Sequence, residues 1–173
     1  MNKIYLVFGC SATGKETFIL NAKKNNNEII DIMNWNVDKI EIIQESIDYI
    51  KQYSDDPIGD KRVEIIERIG NIPNENKIIL IKGQNIDFKS GIIEKIKEKY
   101  SAYPQEIIFL VSDVKTIFAR GKKKSWFTES DNNIDDWSEH QHKTAAHVKD
   151  LKEYNITTID TTNGYKLVEF PEY

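Results

Sequence analysis

Cysteine is almost absent from this sequence. Cys10 has no second thiol to pair with, which excludes an intramolecular disulfide framework and points to a reducing, cytoplasmic setting. Its apolar flanks mark it as a small buried residue. Long apolar runs are missing as well. The first run, Ile4 to Phe8, is far shorter than a secretory signal core or the roughly 20 residues of a membrane span, so no membrane association is expected. Arginine is scarce too: of 24 basic residues only Arg62, Arg68 and Arg120 are arginine, in a chain rich in Asn, Ile and Lys of the kind an AT-rich genome encodes. An arginine kept against that bias draws interest, because its planar fork grips phosphate bidentately as lysine cannot. A formal net charge of -4 leaves no cationic excess for coating nucleic acid. One local exception is the basic cluster from Arg120 to Lys124.

What is present fits one domain. At 173 residues a chain buries about 70% of its unfolded surface, enough for a core without staples. Apolar runs of strand length alternate with segments of helical period. Ile4 to Phe8 reads as a strand, Lys15 to Lys24 as a helix, and Glu28 to Met33 as a second strand, giving a βαβ rhythm. Val37, Ile40, Ile43, Ile47 and Ile50 then recur at helical spacing and predict an amphipathic helix. Pro57 and Gly59 mark a turn, and a shorter helix follows that closes at Gly70. Ile78 to Ile81 and Ile107 to Val111 read as buried strands flanking a helix over Ser90 to Tyr100. Val114 to Ala119 reads as a short helix, Asp135 to Tyr154 as a longer one, Ile156 to Ile159 as a last core strand, and Lys166 to Phe170 as an edge strand. Between those helices, Gly121 to Asn133 is polar and reads as a mobile loop over a site. The expectation is an α/β fold: a doubly wound parallel sheet of about five strands with helices on both faces, in a single domain over 1–173. Such sheets bind ligands at the carboxyl ends of their strands, and the first such end is Gly9.

The segment Gly9-Cys10-Ser11-Ala12-Thr13-Gly14-Lys15-Glu16-Thr17 follows a strand and opens a helix. That setting turns a short pattern into a phosphate cradle: the glycines let successive amides point at the phosphates, and the helix N-terminus adds partial positive charge. Lys15 reaches the β and γ oxygens of a triphosphate. ATP with Mg²⁺ is the expected cofactor pair. The position after the lysine, where a hydroxyl ordinarily meets the metal, holds Glu16, with Thr17 next; both are oxygen donors suited to a hard cation.

With Gly-Lys-acid-Thr in place of Gly-Lys-Ser/Thr, this loop resembles that of phage-type deoxynucleoside monophosphate kinases, which carry Gly-Lys-Asp-Thr. Loop and order of elements together resemble the P-loop kinases of the nucleoside monophosphate kinase and polynucleotide kinase kind, sharply over nine residues and loosely over the rest. The resemblance implies a lid at about 120–133 whose Arg120, with Lys122, Lys123 and Lys124, closes over ATP. It implies an acid just past the second strand that orients or deprotonates the acceptor, for which Asp31 is a candidate and Asp38 an equal one by position. It also implies an acid at the end of the third strand, where this sequence has Lys82-Gly83-Gln84-Asn85 and no acid before Asp87. Arg62 would clamp a monophosphate acceptor. The function expected is phosphoryl transfer from ATP to a nucleotide, with two alternatives: a polynucleotide or nucleoside kinase acting on a free hydroxyl, and a nucleotide-binding regulator without catalysis. Nucleic acid enters only as an acceptor.

Two other groupings carry less. His140, His142 and His147 with Asp136 and Glu139 match no zinc spacing and read as solvated helix residues. Trp35, Trp126 and Trp137 read as packing residues, with Trp126 placed in the lid where it could stack a base.

Overall fold

The computed structural model describes residues 1–43, 65–82 and 91–173. In chain order its elements are β1 (Lys3–Phe8), α1 (Lys15–Lys23), α2 (Asn27–Met33), β2 (Ile40–Ile43), a helical stretch over 65–70, β3 (Ile78–Lys82), α3 (Ile92–Lys99), β4 (Gln105–Val111), α4 (Val114–Gly121), α5 (Ile134–Lys149), β5 (Asn155–Asp160) and β6 (Lys166–Val168). The strands form one six-stranded sheet in the order β2-β3-β1-β4-β5-β6. Every pairing is parallel except β5 with β6, which is antiparallel at the edge. Five parallel strands match the expected count, and the edge strand over Lys166–Val168 makes the sixth.

Strand alternation explains why helices cover both faces. In β1, Ile4, Leu6 and Phe8 pack into one core with Ile79, Ile81, Ile107, Phe109, the helical stretch over 65–70, α3 and α5. Tyr5 and Val7 point the other way, into a second core with Phe18 and Ile19 of α1, Ile29 of α2, and Leu80 and Ile108. A strand buried on both sides has no polar face, which is why these segments read as unbroken apolar runs. Each fully buried Ile or Leu contributes about 1.5–3 kcal/mol relative to exposure.

Two expectations about the first crossover, from β1 to β2, are corrected. Glu28 to Met33 is helix, not strand. Asn25, at φ +64°, ends α1; the Asn26 side chain accepts from the Ile29 amide to cap α2; and Asn34, at φ +53°, terminates it. Asparagine suits both tasks, since its short amide caps helices and tolerates left-handed backbone. The amphipathic helix expected from Val37 gives way to a 3₁₀ turn (Val37–Lys39) and strand β2, whose Ile40 and Ile43 are buried against β3. The remainder of that expected helix, the turn at Pro57 and Gly59, and Arg62 lie outside the described residues, as does Asp87.

Among the described residues no helix is long and apolar enough to cross a membrane. The carboxyl ends of β1, β4 and β5 lie side by side in the sheet, so the segments that follow them converge. These are Gly9 to Gly14, Ser112 with Asp113, and Thr161 to Tyr165.

Candidate phosphate-binding site

The loop from Gly9 to Gly14 is fixed by its own backbone. A Cβ on Gly9 would sit 2.4 Å from the Thr13 hydroxyl oxygen and 2.9 Å from the Leu110 carbonyl oxygen, so only glycine fits there. Gly14 has φ +90° and is the N-cap of α1, while Ala12 adopts φ +65°, an uncommon conformation for a residue with a side chain. Thr13 is buried, and its hydroxyl donates to the Cys10 carbonyl at 2.9 Å. Lys15, only 7% exposed, curls back over the loop: its Nζ donates to the carbonyls of Gly9 at 2.8 Å and Cys10 at 3.2 Å. The ammonium thus lies within the curve of the loop, at the positive end of α1.

Glu16 and Thr17 are exposed on the first turn of α1. Among the described residues no group of three or more His, Cys, Asp or Glu side chains could hold a metal. Cys10 is 2% exposed, and burial pushes its thiol up to about 11 against the downward pull of the Lys15 ammonium. It is therefore a protonated packing residue and not a nucleophile.

Arg120, on the last turn of α4, reaches the loop after β5. Its guanidinium donates to the Thr161 hydroxyl at 3.2 Å and to the Thr161 carbonyl at 2.5 Å. A cavity of about 520 Å³ opens between these parts, with Gly14, Thr17, Arg120, Lys123, Lys124 and Tyr165 among its walls. The loop from Thr161 to Tyr165 is held on its far side by α1 and α2. Asn21 donates to the Tyr165 hydroxyl at 2.9 Å, and the Tyr165 amide donates to Glu28 at 3.2 Å. Gly164 has φ +76°, and a Cβ there would meet the Glu28 carboxylate at 2.8 Å.

The segment between α4 and α5 has more structure than its polarity suggests. It contains a 3₁₀ turn (Glu129–Asp131) closed by a reciprocal Thr128 and Asp131 capping box. Trp137 anchors it: the indole N–H donates to the Asp131 carbonyl at 2.8 Å, and the ring packs against Phe118, Trp126 and Phe127. Gly121 admits this ring, since a Cβ there would lie 2.1 Å from it. Gln141 ties α5 to the end of β4, donating to the Ser112 carbonyl at 3.0 Å and accepting from the Ser112 amide at 3.2 Å. Asp113 caps α4 through the Thr116 amide, a bond that holds its carboxyl below the usual range.

The structure therefore brings Gly9, Ser11, Ala12, Thr13, Gly14, Lys15, Thr17 and Arg120 to one end of the sheet, with Glu16 at the loop's exit. It does not bring Asp31 there: that residue is exposed on α2, and Asp38 is exposed in the turn before β2. Because β2 ends at Ile43, the chain past the second strand begins at Gln44, outside the described residues. Thr161, Tyr165, Glu28 and Gln141 were not singled out from sequence. Gln141 does share helical spacing with Trp137, Thr144 and Val148, all buried, and Thr161 to Gly164 is a turn directly after a core strand.

No protein-family model matches the chain, and no curated protein matches it in sequence. Among solved structures, a shikimate kinase from Bacteroides thetaiotaomicron is similar over 90% of this chain and 85% of its own, at 13% identity and a TM-score of 0.53. A deoxyadenosine kinase from M. mycoides with bound dATP is similar over 91% of both chains, at 16% identity and a TM-score of 0.49. The likeness of the loop to phage-type deoxynucleoside monophosphate kinases rests on its own few residues. The likeness to the shikimate kinase is one of fold, and it agrees with the α/β architecture of this chain's mostly parallel sheet.

Proposed function

We propose that the chain is an ATP-dependent phosphotransferase that holds the triphosphate in the loop from Gly9 to Thr17. The observation that carries this reading is Lys15, a buried ammonium resting on two loop carbonyls at the N-terminus of a helix. Phosphate oxygens entering the loop exchange those neutral acceptors for charged ones, and a charge-assisted bond is roughly twice as strong. The amides of Ala12 to Gly14 and the helix dipole add to the same attraction. Base and ribose occupy the cavity of about 520 Å³. Arg120, Lys123 and Lys124 on its wall offset the charge that develops on the transferring group, and the segment 120–133 acts as the lid that excludes water.

Glu16 and Thr17 fit a hard cation by donor type, and Mg²⁺ held there would neutralise phosphate oxygens. In the transfer, an acceptor oxygen bonds to the γ phosphorus, the bond from that phosphorus to the β–γ bridging oxygen breaks, and ADP leaves with the electron pair. A hydroxyl acceptor also surrenders a proton to a base. Of the acids singled out from sequence, Asp31 lies on α2 and Asp38 in the turn after it, both before β2.

The sequence resemblance favours a nucleoside monophosphate as acceptor, with Arg62 as its clamp. One observation favours the hydroxyl alternative. A second cavity lies on the Ser11 side of the loop, and none of its described lining residues is Lys or Arg. A phosphate monoester brings about 1.5–2 negative charges that such walls leave unmatched.

The test is ADP release from ATP and Mg²⁺, screened over nucleoside monophosphates, nucleosides, 5′-hydroxyl oligonucleotides and small hydroxylated compounds. Acceptor-dependent release that Lys15→Ala abolishes supports a kinase and names its acceptor class. ATP binding without release from any acceptor supports the regulatory reading, and absence of ATP binding overturns both.

A further inference from the structure

We infer that the cavity beside Ser11 receives a small cationic amine carried on a single ring, as the recognised part of the phosphoryl acceptor. This rests on the phosphotransferase reading, since that reading makes the space next to the phosphate loop the acceptor's place. The two cavities that flank the loop carry opposite charge. The larger has Arg120, Lys123 and Lys124 on its walls, as a polyanion requires. The smaller, of about 280 Å³, has Asp131, Asp136, His140 and two indoles beside Ser11. Its volume holds one ring with a short side chain.

The walls are set in place before any ligand arrives. Asp131 is fixed by the Thr128 amide and hydroxyl at 2.8 and 3.1 Å. Trp137 is buried and holds Trp126 in a stack at 6.0 Å between centroids and 17° between planes. Trp126 nevertheless stays 50% exposed. Acids in the first turn of α5 would be explained by the helix dipole alone. The dipole gives no reason for a large indole left half exposed over the same cavity. An indole face beside carboxylates attracts a cation through the ring quadrupole and through charge at once, and repels an anion.

The experiment is calorimetric titration of the whole chain with three compounds of similar size: tyramine, its neutral analogue tyrosol, and anionic 4-hydroxyphenylacetate. Tyramine is expected to bind about tenfold or more tighter than tyrosol, and the anion not measurably, as cation–π and carboxylate attraction act together. Asp136→Asn, at an exposed position on α5, is expected to weaken tyramine about three- to tenfold while ATP affinity, measured alongside, is retained, and Trp126→Ala is expected to weaken tyramine by a similar factor. Lys15→Ala should lose ATP and keep tyramine, so that failure of the nucleotide site and failure of this cavity are read separately. Equal binding of the three compounds, preference for the anion, no tyramine binding at millimolar concentration, or tyramine binding untouched by both substitutions overturns the proposal.

Discussion

The hydroxyl of Thr161 donates to the carbonyl oxygen of Thr13 at 2.6 Å, joining the loop after β5 to the phosphate loop 148 residues earlier in the chain. The same hydroxyl oxygen and the Thr161 carbonyl accept from Arg120. One buried threonine therefore links three segments that meet nowhere else in sequence.

Thr161→Val keeps the shape and removes the donor. It leaves the Thr13 carbonyl without this partner, which costs about 1–3 kcal/mol by the general magnitude for a buried unsatisfied group. Urea denaturation should show that loss, and ATP affinity should fall with it because both Thr13 and Arg120 lose their reference point. Thr161→Ser should restore most of both. Stability unchanged in the valine variant would mean that this bond does not hold the loop.

Lys15→Met retains the stem and removes the charge. Bonds from a charged donor contribute about 1.5–3 kcal/mol, so ATP should bind roughly ten- to a hundredfold more weakly. Lys15→Arg should not rescue, because the side chain lies buried within the loop and a planar guanidinium is larger than the ammonium it replaces. A fully active arginine variant would show that the ammonium is not held within the loop's curve.

Gly121→Ala drives a methyl group into the Trp137 ring. Overpacking of this kind costs about 1–3 kcal/mol. The shift should appear in the near-ultraviolet circular dichroism of the tryptophans as well as in the unfolding midpoint. A silent substitution would mean that the contact between α4 and the Trp137 cluster is loose.

Cys10 should resist alkylation. With its thiol raised to about 11, the thiolate fraction at pH 8 is on the order of one in a thousand, and burial blocks the rest. Labelling should become fast only when the chain unfolds. The sign of the linked pH effect follows. Between the ordinary thiol value near 9 and about 11 the unfolded chain releases this proton while the folded chain keeps it, so stability falls as pH rises through that window. Cys10→Ala should flatten that part of the profile, and a profile identical in both proteins would refute the assignment.

Much of the fold is legible in the sequence because β1, β3 and β4 are largely buried on both faces and read as apolar runs bounded by polar residues. The first crossover, from β1 to β2, is harder. Ile29-Ile30-Asp31-Ile32-Met33 resembles a buried strand, yet the asparagines at 25, 26 and 34 cap and stop a helix there. Isoleucine at three- and four-residue steps resembles a helix face, yet pairing with β3 draws Ile40 to Ile43 into the sheet. Local periodicity cannot report a tertiary partner. The strand-to-helix loop from Gly9 to Gly14 is legible because its glycines and Lys15 lie within seven residues, and Arg120 stands out by scarcity. Thr161 and Tyr165 are not legible, because their roles exist only after β5 is paired with β4 and its following loop reaches α1.

The bond between Thr13 and Thr161 also sets an order of events during synthesis. The loop from Gly9 to Gly14 is synthesised first, and its brace follows 148 residues after Thr13. A nascent chain that has not yet released β5 lacks the Arg120 anchor and the support beneath Thr13, so the loop is not yet braced in this geometry. The braced form of the loop therefore arises only once β5 has paired with β4 and Thr161 is in place.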